Sequence, residues 1–190
     1  MASASPRRKE LLAELIEKFE IVPAKGEEVV SASLTPRELV QALAEQKALE
    51  VSALVQAEGK CVLGADTIVV LDNEVLGKPK DEADAFRMLS ALSDRAHEVY
   101  TGVCICARNG GVYRKLTSFA CTEVVFERLT EEQIETYVKS GSPMDKAGAY
   151  GIQDGGLVKE IRGSYSNVVG LPLELCKEMI EQIKTNAKLR

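Results

Sequence analysis

The chain is poor in the residues that build metal and redox centres. Its 190 residues include one histidine, His97. A zinc site built on several histidines is therefore excluded, and any ion held by side chains would sit on carboxylates, as Mg²⁺ or Mn²⁺ does. The five cysteines, Cys61, Cys104, Cys106, Cys121 and Cys176, are an odd number with no Cys-x-x-Cys pair. In a chain long enough to need no staples they read as reduced core residues, with Cys104 and Cys106 facing one side of a strand. No apolar run approaches the roughly 18 residues of a membrane span. Arg7, Arg8 and Lys9 lead into a mixed helical pattern instead of an apolar signal core, so a cytoplasmic protein without a membrane partner is expected. Positive charge is in the minority, 24 Lys and Arg against 29 Asp and Glu for a net charge of −5. That excludes a broad surface tracking a nucleic-acid polymer and leaves room for a local basic pocket.

What is present is ordinary for a globular protein: 45% hydrophobic and 28% charged residues. The length suits one domain over residues 1–190, and no repeat, low-complexity segment or linker divides it. Ser5 and Pro6 open a helix with an apolar stripe through Leu11, Leu12, Leu15, Ile16 and Phe19. Glu20 to Ala24 reads as a short strand and Lys25 to Leu34 as a loop. Thr35, Pro36 and Glu38 form a capping box before a helix running to about Ala57. Cys61 to Leu71 is an apolar, β-branched run followed by turn residues Asp72 and Asn73 and by Glu74 to Leu76. Asp81 starts a helix to about Leu92. Residues 97–107 and 115–126 read as long strands joined through Asn109-Gly110-Gly111. Thr130 with Gln133 caps a helix to about Lys139, closed by Gly141 and Pro143. A glycine-rich stretch from Gly148 to Gly156 follows, and a helix from about Pro172 to Lys184 ends the pattern. The expected fold is α/β, a mixed twisted β-sheet with flanking helices.

Four constellations ask for chemistry. Ser3-Ala4-Ser5-Pro6-Arg7-Arg8 places hydroxyls and guanidinium groups at a helix start, which suits an anion but also an ordinary cap. Asp66, in Gly64-Ala65-Asp66-Thr67, lies within an apolar run, where a carboxylate requires a partner, a metal or an open strand end; the alternative is a loop beginning at Asp66 with Ile68 to Leu71 as a separate strand. Gly64 and Ala65 would let a ligand approach the backbone. Lys78, between Gly77 and Pro79, either points into a cleft or faces solvent, and Lys47, among Leu43, Ala44, Ala48 and Val51, either carries chemistry or snorkels. Met144 to Gln153 combines small residues with Tyr150 and Gln153, whose carboxamide offers the donor and acceptor that an amide-like base edge needs. His97 has no recognisable Ser or Cys partner.

In order along the chain, the Ser3 to Arg8 segment, Glu28, Gln46-Lys47-Ala48, Gly64 to Thr67, Leu76-Gly77-Lys78-Pro79, His97 with Thr101-Gly102, Asp145 to Gln153 and Val169-Gly170-Leu171-Pro172 resemble the Maf family of nucleotide pyrophosphatases, associated with septum formation in bacteria. The resemblance extends over essentially the whole chain, and the form of the fourth constellation resembles the dTTP/UTP subgroup. It implies a Maf/ITPase-like fold and hydrolysis of pyrimidine nucleoside triphosphates to monophosphate and pyrophosphate, with Mg²⁺ or Mn²⁺ as cofactor. Glu28 and Asp66 would hold the ion, with Asp66 as general base. Lys47 and Lys78 would join them as catalytic residues, and Arg7, Arg8 and Lys146 would neutralise the triphosphate. Ser3, Ser5 and Thr67 would position it, and Gln153 would read the pyrimidine. A homodimer is a further implication. The sequence departs from the family pattern in lacking the short strand before Met1-Ala2-Ser3, in a shorter segment after Gln153, and in Asp94 where a helix-ending glycine is usual. A triphosphatase releasing orthophosphate and a non-catalytic nucleotide-binding regulator of cell division are the competing expectations.

Overall fold

A computed structural model describes residues 1–28, 34–55, 59–109 and 112–188, with side chains to residue 185. Helix α1 (Pro6–Leu15) begins where the Ser5 hydroxyl accepts the Arg8 N–H, and Pro6 in the first turn forfeits no helical hydrogen bond. Helix α2 (Pro36–Leu54) carries the expected capping box, with the Thr35 N–H donating to the Glu38 carboxylate at 2.9 Å. It stops three residues before the expected Ala57, which itself lies outside the described residues. Helices α3 (Glu82–Leu92) and α4 (Glu131–Lys139) start on the N-caps Asp81 and Thr130, as their sequences require. Helices α5 (Tyr165–Val169) and α6 (Leu173–Lys188) end the chain.

Strands β1 (Lys60–Leu71), β2 (Glu74–Leu76), β3 (Ala96–Asn109), β4 (Val112–Phe126) and β5 (Val158–Arg162) form one sheet in the order β2-β1-β3-β4-β5. Asp72 (φ 51°) and Asn73 (φ 67°) take the left-handed conformations of a two-residue hairpin turn, and β1 and β2 pair antiparallel with Leu71 opposite Glu74. β4 and β5 also pair antiparallel, with a bulge between Val125 and Phe126. β1 is continuous through Asp66, so the loop alternative at that residue does not hold. Two connecting residues, 110 and 111, lie outside the described set.

Four elements correct the sequence expectation: α1 stops at Leu15, short of the expected Ile16 and Phe19, α5 was not foreseen, and two strands differ. Glu20 to Ala24 is not a strand. Among the described residues it meets Met1, whose ammonium donates to Glu20 O at 2.6 Å and whose carbonyl accepts from Val22 N–H at 3.0 Å, too short an edge to propagate a ladder. Strand β5 was not expected, because Lys159, Glu160 and Arg162 give it the charged face of an edge strand in place of an apolar alternation. The expected core cysteines divide: Cys104, Cys106 and Cys176 are buried, while Cys61 and Cys121 are exposed, which corrects their expected core placement. All five are free thiols. None of the described helices is long and apolar enough to cross a membrane.

The chain forms two compact units, each discontinuous in sequence: Met1–Asp66 with Thr101–Ala120 and Gly170–Arg190, and Thr67–Tyr100 with Cys121–Val169. Each has its own core. In the first, Leu63 and Ala65 of β1 and Val103 and Ile105 of β3 pack with Leu12 of α1 and Cys176, Met179 and Ile183 of α6. On the other face, Ala44 and Ala48 of α2 lie on Cys104 and Cys106, whose sulfurs are 3.9 Å apart. In the second, Leu89 and Leu92 of α3 and Ile134 and Val138 of α4 pack with Val99, Val124 and Phe126. The left-handed Asp94 (φ 59°) follows α3, where the sequence lacks the glycine suited to that conformation.

Candidate active site

The first unit brings together most of the charged residues singled out in the sequence. Gly64 decides how close α2 sits to β1: a Cβ there would come 2.4 Å from Ala44 O and 2.7 Å from Ala48 N. Gly102 does the same under Val40, at 2.1 Å. Gly64 was expected to open the strand to a ligand; the room it leaves is filled by the α2 backbone. The result is that Lys47, between Ala44 and Ala48, reaches Asp66, two positions along β1 from Gly64.

The Lys47 ammonium makes a direct ion pair with Asp66 Oδ1 and a second with Glu28 Oε1 at 2.8 Å. Lys47 therefore does not merely snorkel. The loop carrying Glu28 is fastened to the same face of α2: Gln46 Nε2 donates to Glu27 O at 2.5 Å, and the Glu50 carboxylate accepts from Lys25 N–H at 2.8 Å and Gly26 N–H at 3.1 Å. Glu50 was not anticipated; its signal was position, one turn beyond Gln46.

At the start of α1, Arg8 Nε donates to Gly170 O at 2.8 Å and Nη1 to Ser3 Oγ at 3.3 Å, while Ser3 Oγ also accepts from Ser5 N–H at 3.2 Å. Ala2 N–H donates to Leu63 O at 2.8 Å, so the loop leading to Ser3 is anchored on β1. Burial lowers the pKa of Arg8, an effect that the charge of Asp66 and, less, that of Glu28 only partly oppose and that Arg7 reinforces. Arg7 stands beside it, half-buried. Two cations, Lys47 and Arg8, thus face two carboxylates, Glu28 and Asp66.

This donor set is compatible with a hard divalent ion. Glu28 and Asp66 converge on one ammonium, and Mg²⁺ is commonly held by one or two carboxylates with substrate phosphates and water completing its shell. Among the described residues there is no group of three His, Cys, Asp or Glu that would form an all-protein cage.

In the second unit, Thr67 follows Asp66 on β1 and Lys78 is exposed in the turn after β2. Gly148 N–H donates to Gly77 O at 3.0 Å and fixes that turn. The Lys146 ammonium is engaged by Ser142 O at 2.5 Å, Ser142 Oγ at 3.0 Å and Asp145 Oδ1 at 2.9 Å, a local commitment that the sequence did not suggest. Gln153 is exposed, in a short 3₁₀ turn. His97, 3% exposed within β3, shares a 2.8 Å hydrogen bond with the Tyr150 hydroxyl, and its Nδ1 finds no hydrogen-bond partner among the described residues. Burial lowers its pKa to about 4.

Comparison with known proteins identifies the family. The family model described as Maf-like protein matches residues 1–183. A dTTP/UTP pyrophosphatase of Thermococcus gammatolerans is 48% identical over 183 residues, covering 95% of this chain and 94% of the relative. One of Bacillus cytotoxicus is 46% identical over 190 residues, covering 98% and 96%. One of Anaeromyxobacter dehalogenans is 49% identical over 175 residues, covering 91% and 87%. With residues 1–183 matched by the family model and relatives 46–49% identical along nearly its whole length, the chain belongs to the Maf family.

Proposed function

We infer that the protein is a nucleoside triphosphate pyrophosphatase acting on dTTP and UTP, releasing the monophosphate and pyrophosphate. The observation that carries this is the convergence of Asp66 and Glu28 on Lys47 beside Arg8, in a chain similar along its length to dTTP/UTP pyrophosphatases. Such a set neutralises a polyphosphate and activates water, so direct attack by water needs no covalent nucleophile.

Asp66 is the general base. It accepts a proton as water oxygen bonds to the α-phosphorus, and the bond from that phosphorus to the pyrophosphate oxygen breaks. Lys47 and Arg7 stabilise charge on the phosphoryl oxygens, and Arg8 does so while holding Ser3 and Gly170 in place. Ser3, Ser5 and Thr67 position the triphosphate, Lys78 adds positive charge, and Lys146 shapes the segment leading to Gln153, which reads the base. Mg²⁺ or Mn²⁺, held by Glu28 and Asp66, supplies charge neutralisation when bound. The work belongs to the cytoplasm, where the nucleoside triphosphate pool lies, and a homodimer accompanies the family resemblance.

Product analysis with each common nucleoside triphosphate and either ion tests the assignment. Monophosphate with pyrophosphate from dTTP or UTP, lost in Asp66→Asn, is the expected result. Orthophosphate release would establish a triphosphatase, and nucleotide binding without turnover would establish a binding protein.

A further inference from the structure

The segment from Ser142 to Asp154 is fastened on two sides. It runs through three 3₁₀ turns, Ser142–Asp145, Ala147–Ala149 and Ile152–Asp154. On one side, the Tyr150 hydroxyl meets His97 Nε2 at 2.8 Å. On the other, Asp154 Oδ2 accepts from the Tyr137 hydroxyl at 2.5 Å and the Ser142 hydroxyl at 2.7 Å, with the Lys146 ammonium 4.0 Å away. The Tyr137 oxygen in turn accepts Gly151 N–H at 3.0 Å. The Lys146 and Asp154 side chains pack against the backbone here: a Cβ on Gly151 would come 2.8 Å from Lys146 Cε and 2.9 Å from Asp154 Oδ2. Gln153 stands between the two attachments, three residues after Tyr150 and one before Asp154, with its side chain exposed.

We propose that Tyr137 and Asp154 are a positioning pair that fixes Gln153 for reading a pyrimidine base, and so determine specificity. The inference rests on the pyrimidine pyrophosphatase reading above. A carboxamide discriminates a base edge only when its donor and acceptor are presented in a fixed direction, and holding the backbone beforehand removes that ordering cost from binding. Uracil and thymine present a carbonyl beside an N–H, which a glutamine carboxamide complements. Burial and the hydrogen bond to Asp154 push the Tyr137 phenol up, so it stays protonated and able to donate. Neither residue touches the reacting phosphorus in this scheme; both act through Gln153.

Calorimetric titration of UTP and of inorganic tripolyphosphate, without divalent ion so that nothing is turned over, separates base from phosphate recognition. Tyr137→Phe removes the donor to Asp154 and the acceptor for Gly151 while keeping the ring. It is expected to weaken UTP by about tenfold, about 1.4 kcal/mol, and to leave tripolyphosphate unchanged. Asp154→Ala should match it, whereas Asp154→Asn, which keeps an acceptor oxygen, should stay within about threefold of the unaltered protein. Thermal melts establish that the variants are folded; a partly unfolded variant would lose both ligands together. Equal weakening of both ligands, unchanged UTP affinity, or an unaltered protein that binds UTP no better than tripolyphosphate would overturn the proposal. A protein that passes this test yet yields no pyrophosphate with Mg²⁺ would instead overturn the catalytic reading.

Discussion

Lys47 on α2 and Asp66 on β1 are joined by a direct ion pair, and the same ammonium reaches Glu28. The pair is mostly buried, with side chains 20% and 14% exposed, so neither charge is fully compensated by water. Lys47→Met is expected to leave two carboxylates facing each other without their shared cation, lowering stability by about 1–3 kcal/mol in a denaturant titration. Pyrophosphate release should fall by about a hundredfold or more in the same variant, the scale of losing a charge-stabilising group.

Gly64→Ala tests the spacing that makes that pair. The added methyl would meet Ala44 O and Ala48 N, backbone atoms that cannot swing aside. A loss of about 1–3 kcal/mol is expected from overpacking. Activity should fall more than the unfolded fraction explains, because α2 carries Lys47 away from Asp66. Full activity in a folded Gly64→Ala protein would show that the close approach is not needed for the chemistry.

His97 sets an acid limit on stability. With Nε2 bonded to Tyr150 and Nδ1 lacking a partner, protonation would place a charge and a new N–H in the core. The folded pKa, about 4, lies below the ordinary 6.5, so the native state prefers neutral imidazole. The stability contribution is complete above pH 6.5 and is lost as pH falls towards 4, amounting to about 3 kcal/mol. Chemical denaturation across that range should show the loss, and His97→Gln should flatten it. An unchanged slope in the variant would assign the acid sensitivity to other groups.

Asp94→Gly should stabilise the protein by about 0.5–1 kcal/mol, since Asp94 adopts φ 59°, a conformation that glycine takes without a Cβ penalty. A rise in the denaturation midpoint with unchanged slope checks this. A fall would show that the Asp94 side chain contributes more than its backbone costs.

Much of the fold was legible because its signals are local. Ser5, Thr35, Asp81 and Thr130 satisfy helix N-termini a few residues away, so spacing alone announces them. Asp66 stood out as a carboxylate within an apolar strand. The roles of Glu50, Tyr137 and Asp154 were not legible, because each acts on backbone or side-chain atoms at least a dozen residues distant.

The sequence by itself determined the five longer helices, the long strands and the family, because capping and hydrophobic period are short-range and a motif is a pattern along the chain. Tertiary structure alone decided which charges meet. Whether Lys47 snorkels or pairs depends on the depth to which α2 settles on Gly64, and whether Gln153 is held depends on a tyrosine from another helix. Both are distances across the fold, set by how side chains fill the space between elements.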